Sequence, residues 1–390
     1  MSAPVIVSAV RTAIGTARKG TLANTDGETL ASAIVEETVR RSGLEPHRFD
    51  DILLAESLYG GGDLARYAAV VNGMLDVPGV ALNRHCAGSL TSIGLAAASV
   101  QSGMESALVA GGVQATSMAP RLMQRVAGTA DEYADWYPAT HPDSPAAPNQ
   151  DMSISVGWNT AKAVGITREE QDAWAYRSHQ RAVAAIDAGK FADEIVPLKL
   201  DGPGDAPVEF AVDEHPRRDT SPAKLASLKV LHPEIPGFSI TAGNSSGIND
   251  AAAAVAVTGA EVAFGEGLTP LAKILAWGAA GVDPALMGFG ALRAADKVLR
   301  RAGLTYADVT LWEINEAFAS VPIAACKEFG LDEERVNFSG SGCSLGHPVA
   351  ASGARMVVTL VHELRRRGGG LGLATMCAGG GQGGAVLIEV

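Results

Sequence analysis

The chain has 390 residues, 47% of them apolar and 19% charged, with 45 glycines and a net charge of −12 at neutral pH. That composition fits a well-packed α/β protein rich in tight turns, and its acidic balance excludes the basic footprint of a nucleic-acid binder. Four cysteines with no C-x-x-C spacing exclude a disulfide framework and a zinc ribbon, and they point to a reducing, cytoplasmic setting.

The opening MSAPVIVSAVRTA has no basic leader, and its short apolar run, broken by Ser8 and Arg11, predicts a first strand rather than a signal peptide. VRRSGLEPHRFDDILLAES from Val39 then ends an amphipathic helix at Gly43 and enters an apolar strand through a short acidic loop. LRRAGLTYADVTLWEINEA from Leu299 does the same at Gly303, and the arginine pairs stand 300 − 40 = 260 positions apart. A second pair of segments matches as well, each a turn, a small-residue helix, a glycine stop, a strand and a glycine cluster. In these, Cys86 and His347 occupy equivalent turns, 347 − 86 = 261 positions apart. A nearly constant offset over two motifs predicts duplicated βα halves with a parallel sheet covered by helices. The divisions expected are a first half over 1–118, an inserted cover over 119–250 and a second half over 251–390. The longest weakly polar run, Ala251 to Ala260, is bounded by Asp250 and Glu261 and is too short to span a bilayer.

Within the cover, Tyr133 to Pro148 reads as a surface loop, and Thr167 with Glu170 opens a capped helix ending near Gly189. Lys162, Arg168, Arg177, Arg181, Lys190, Arg217, Arg218, Lys224 and Lys229 make this region locally basic. It is either a solvated face or a lid for an anionic ligand.

Four motifs carry chemistry. Cys86 turns into the helix TSIGLAAASV, where backbone N–H groups are expected to lower its thiol pKa and favour the nucleophilic thiolate. GNSSG, Gly243 to Gly247, matches a nucleophile elbow if AAAAVAV is a helix, which would pair Ser245 with His347 and Asp283 or Asp308 in a Ser hydrolase. Asn315 in WEINEAF is an amide suited to holding an oxyanion or a water. Cys377 precedes AGGGQGG, whose glycines free N–H groups for an oxyanion. Gly379, Gly381 and Gly384 formally match G-x-G-x-x-G, but AVLIEV and the chain end follow where a dinucleotide site needs a helix.

Taken jointly, N-x-x-C at Cys86, N-E-A-F at Asn315, G-H-P at His347 and C-A-G-G-G at Cys377 resemble the thiolases over essentially the whole chain. The resemblance implies an α/β thiolase fold, two βαβαβαββ halves in five α-β-α-β-α layers with an inserted loop domain. It also implies a homodimer or homotetramer. Its chemistry is acyl transfer between acyl-CoA thioesters with carbon–carbon cleavage or formation, coenzyme A being substrate or product and neither metal nor tightly bound cofactor being needed. By resemblance Cys86 carries the acyl group, His347 activates it, and Cys377 moves the α-proton. Asn315 holds a water beside His347, and Gly379 with Cys86 forms a second oxyanion site. Ser246 touches the pantetheine arm, while Met152 and Phe318 wall the acyl site. The chain departs from the family at CAGSL after the nucleophile, at His85, at Cys343, and at Asp151, where a histidine is frequent. A non-catalytic acyl-CoA-binding subunit is the other reading, against which the three retained side chains argue.

Overall fold

The structure is a computed structural model that describes residues 2–57, 59, 62–201 and 207–390. Its first half begins β1 (Pro4–Thr12), α1 (Gly27–Ser42), β2 (Asp51–Glu56), α2 (Leu64–Val71), β3 (Gly79–Leu82), α3 (Gly88–Ser102), β4 (Ala107–Ala115). After the cover, whose main helix is α4 (Arg168–Asp187), β5 (Asn249–Gly259) completes that half. The second half runs β6 (Ala272–Gly281), α5 (Phe289–Ala302), β7 (Leu311–Ile314), α6 (Ser320–Phe329), α7 (Ser352–Arg366), β8 (Leu371–Ala378), β9 (Gln382–Glu389).

The main sheet is ordered β7-β8-β9-β6-β1-β5-β4-β2-β3. Its centre, β1 against β6, is joined through Val5↔Lys273 and Ile6↔Ala272, so two half-sheets meet at a narrow seam. Each half uses one order, β2-β4-β5-β1 in the first and β7-β8-β9-β6 in the second. At the outer edge, the bridge Trp312↔Val336 stands where β3 pairs with β2. The duplication read from the sequence is thus a duplication of topology. Its helix stops agree too: α1 ends at Gly43 with φ 77° and α5 at Gly303 with φ 71°, the left-handed conformation that glycine adopts without a Cβ penalty.

Helices α3 and α7 pack on each other and on strands of both half-sheets, forming the middle of five layers. A helix buried on both sides must be apolar or small all round. Helix α3 is so, with Ser89, Ser92, Ala96 and Ala97 buried, and α7 follows over Gly353, Ala354, Val357 and Val358 but departs at buried Arg355, whose charge is paired with Glu313 at 2.9 Å. Helices α1 and α5 cover the outer faces.

Two expectations fail at β5. The alanine-rich run AAAAVAV is a strand, not a helix, pairing antiparallel with β1 and β4. The expected 250/251 division therefore cuts a strand of the first half. A strand covered on both faces needs no polar alternation, so periodicity could not distinguish it from a buried helix. The GNSSG elbow falls with it, because the strand–turn–helix that exposes such a serine is missing. Ser245 instead donates its hydroxyl to the Thr241 carbonyl at 2.6 Å.

The cover is anchored by buried ion pairs from β1: Arg11 donates to Glu194 at 2.7 Å and to both oxygens of Asp213 at 2.8 and 2.9 Å. Helix α4 starts in the predicted capping box of Thr167 and Glu170. No helix among the described residues is long and apolar enough to cross a membrane.

Candidate active site

A cavity of about 1350 Å³ opens between the cover and the ends of the two half-sheets. Seven of the eight residues singled out in the sequence line it: Cys86, Met152, Ser246, Phe318, His347, Cys377 and Gly379. Asn315, fully buried, stands behind His347. Among the described residues there is no cluster of His, Cys, Asp and Glu suited to a metal ion.

Cys86 sits two residues ahead of α3, in a turn where His85 is held at φ 46°, a costly conformation for a non-glycine residue. The N–H groups of Cys86 itself and of Gly379 stand close enough to its sulfur to favour the thiolate. The expected drop in pKa is nevertheless reversed: burial pushes the thiol up to about 11, and the two amides offset only part of that. Desolvation disfavours a charge more than two N–H dipoles favour it.

His347 follows Gly346, whose φ of 102° and close approach to Asn249 tolerate only glycine; a Cβ there would lie 2.4 Å from the Asn249 side chain. The same Asn249 accepts the His347 N–H at 3.0 Å. The Ser352 hydroxyl lies 2.6 Å from His347 Nδ1 and donates to the Pro348 carbonyl at 2.9 Å. A hydroxyl has one proton, so with that proton on Pro348 it accepts from Nδ1–H, leaving Nε2 as the basic nitrogen. Burial, then Arg355, lowers the imidazole to about 4, so it is neutral at physiological pH. Asn315 Nδ2 lies 3.5 and 3.4 Å from the two ring nitrogens, against the ring rather than bonded to one nitrogen. Its Oδ1 is buried without a partner among the described residues.

Cys377 ends β8, buried, and its thiol is raised by burial first and by Cys86 second, which places the two sulfurs in one electrostatic neighbourhood. Cys343 also lines the cavity, its thiol pushed up by burial and directed to the Glu316 carbonyl at 3.6 Å. Gly379 is packed against the His85 ring, where a Cβ would come within 3.0 Å. That gives His85 a structural place beside the Cys86 turn.

The basic cover divides. Arg168, Arg177, Arg181 and Lys190 are spent on carboxylates, Asp172, Glu333, Glu334 and Glu363 respectively. Arg217, Arg218 and Lys224 line the cavity, and Arg217 has no carboxylate partner among the described residues. Sequence reasoning missed Lys19, His179 and His215, which share that wall. The two histidines are lowered to about 4, chiefly by burial, and the Arg217 N–H donates to His179 Nδ1 at 3.1 Å. Lone histidines in a helix and a loop gave no motif to find them by.

Residues 4–261 match the model of the thiolase N-terminal domain and 268–390 that of the thiolase C-terminal domain. The chain is 40% identical to the acetyl-CoA acetyltransferase of Escherichia coli (strain K12) over 99% of its length and 98% of the relative. It is 37% identical to the 3-ketoacyl-CoA thiolase of Bacillus subtilis (strain 168), with both chains covered completely. The crystal structure of the Bacillus anthracis acetyl-CoA acetyltransferase is similar with a TM-score of 0.92 at 40% identity, covering 100% of this chain and 99% of that one. With the family's two domain models spanning the two halves around one cavity, the chain belongs to the thiolase family.

Proposed function

We propose that this thiolase transfers acyl groups between acyl-CoA thioesters through an S-acyl intermediate on Cys86, cleaving a 3-ketoacyl-CoA with CoA or running the reverse condensation. The observation that carries the reading is the convergence of Cys86, His347, Cys377 and the Gly379 amide on one cavity. A desolvated neutral thiol and a buried neutral imidazole favour proton transfer concurrent with attack over a standing ion pair. His347 Nε2 takes the thiol proton as the sulfur bonds to the keto carbon, and the N–H groups of Cys86 and Gly379 hold the oxygen as it becomes an oxyanion. Collapse breaks the carbon–carbon bond, and its electron pair leaves as the acetyl-CoA carbanion. Cys377, kept neutral by burial, gives that carbon its proton. The Cys377 thiolate then takes the proton of incoming CoA, the CoA sulfur attacks the acyl group, and departing Cys86 recovers its proton from His347. Asn315, with a buried acceptor to spare, is suited to hold a water beside His347.

CoA is an anionic ligand for an acidic protein, so local cations must attract it; Arg217 and Lys19 on the cavity wall support this part of the reading. Ser246, on the same wall, is placed for the pantetheine arm. The test is incubation with an acyl-CoA followed by peptide mass mapping. Label is expected on Cys86, and in Cys377→Ala it should still appear while turnover drops about 10²–10⁴-fold. Label on Ser245, or normal turnover by Cys86→Ala, would end the proposal.

A second copy of the chain is the expected partner. Strand β3 is a sheet edge, and Tyr67, Val70, Val71, Leu75 and Val80 expose apolar surface around it. Light scattering should give a dimer or tetramer mass, reduced by Val71→Glu and Leu75→Glu together; a monomeric wild type would remove this part.

A further inference from the structure

The family's frequent histidine is an aspartate here, and the structure shows what Asp151 is paired with. Its Oδ2 lies 2.7 Å from His232 Nε2, and His232 Nδ1 lies 2.7 Å from Glu234 Oε1. The imidazole thus has a carboxylate on each nitrogen. The edge of its ring meets Phe238 at 4.9 Å between centroids, and Phe238 in turn lies 5.4 Å from Trp158. Asp151 is itself fixed: Oδ1 accepts from the N–H and hydroxyl of Ser153 at 3.0 and 2.6 Å. That residue opens a π-helical segment, Ser153–Trp158, a form that recurs at functional sites.

What this pair joins is the apolar part of the cavity. Met152 and Val156 line it from the π-helical side, one and five residues after Asp151. Leu228 and Leu231 line it too, and Leu231 directly precedes His232. The contact between Asp151 and His232 therefore ties together two segments that both line the cavity. We propose that Asp151 and His232 are specificity-determining positioning residues, whose ion pair sets the width of the acyl slot and makes it depend on pH. The proposal rests on the acyl-CoA reading above.

The pH dependence follows from proton counting. An imidazolium donates to both carboxylates, whereas a neutral imidazole has one N–H and must turn a lone pair toward the other. Asp151 and Glu234 are the charged groups facing the ring among the described residues, and both favour the charged form, Glu234 most strongly. The folded pKa is thereby raised above the ordinary imidazole value. The tie is complete below the ordinary value and weakens as pH rises through the raised one.

The test separates this from the turnover reading by measuring binding in a Cys86→Ala background, where no acyl transfer occurs. Calorimetry gives Kd for butyryl-CoA and decanoyl-CoA with and without Asp151→Ala, His232→Ala or His232→Gln. Loosening the slot should move the butyryl-to-decanoyl Kd ratio about tenfold toward the long chain in both alanine variants, the scale on which apolar pockets discriminate. Glutamine, which can donate to Asp151, should restore most of the ratio. With His232 present the ratio should also shift toward decanoyl-CoA as pH rises through the histidine's titration, and with glutamine it should stay flat. A ratio within twofold in both alanine variants, or a pH shift that persists in His232→Gln, overturns the proposal. A shifted ratio in a protein whose wild type shows no thiolysis would instead remove the turnover reading and leave the slot assignment standing.

Discussion

The two duplicated turns before α3 and α7 hold different side chains by different means. Cys86 is gripped by backbone: its sulfur meets N–H groups of its own turn and of Gly379, and its neighbour His85 sits in a strained left-handed conformation. His347 is gripped by side chains, with Asn249 on its N–H, Ser352 on Nδ1 and Asn315 against the ring. A nucleophilic sulfur is nearly spherical and needs room and N–H groups aimed where charge develops. A base needs one tautomer and one ring orientation, which only directional bonds supply. Duplication provided two equivalent turns facing one cavity, and the chemistry made them unequal.

Removing His347, the proposed base, breaks that comparison most severely. His347→Ala should slow acylation of Cys86 about 10²–10⁴-fold in stopped-flow or quench experiments. It should also change acid sensitivity in a defined direction. The folded pKa of about 4 lies below an unfolded value of about 6.5. Between those values the unfolded chain binds the extra proton, so stability rises with pH and is lost as pH falls from 6.5 toward 4. Thermal unfolding of the alanine variant over that range should depend less steeply on pH. Acylation within tenfold of wild type would mean that the turn does not supply the base.

A smaller effect sharpens the same contrast. Ser352→Ala removes the acceptor that holds Nδ1–H but leaves the imidazole in place. One such hydrogen bond is worth about 1–1.5 kcal/mol, so acylation should fall about tenfold with KM nearly unchanged. Ser352→Thr should rescue it. An equal loss in both variants would assign Ser352 to packing rather than to the tautomer.

Much of this site was legible because its residues occur in short motifs whose spacing survives without knowledge of contacts. N-E-A-F, G-H-P and C-A-G-G-G carried Asn315, His347, Cys377 and Gly379, and the 261-residue offset carried the equivalence of Cys86 and His347. The cover resisted reading. Nine cations looked alike in sequence, yet Arg168, Arg177, Arg181 and Lys190 are neutralised by partners that are distant in sequence or one turn away, and Lys19 reaches the cavity from the first half. The alanine run of β5 misled for another reason: a strand buried on both faces has no period to detect.

By itself the sequence determined the repeat, the helix stops at Gly43 and Gly303, the capped start of α4 and most of the side chains that meet at the cavity. These depend on local backbone preference or on residue type, which a linear chain states directly. Only the tertiary structure decided protonation and partnership. Burial raised the Cys86 thiol against the helix-terminus expectation and kept His347 neutral, and the folding of the cover on itself brought Asp151 to His232 across 81 residues. Desolvation and long-range pairing are properties of the assembled interior, where the surroundings of a group come from segments far away in the chain.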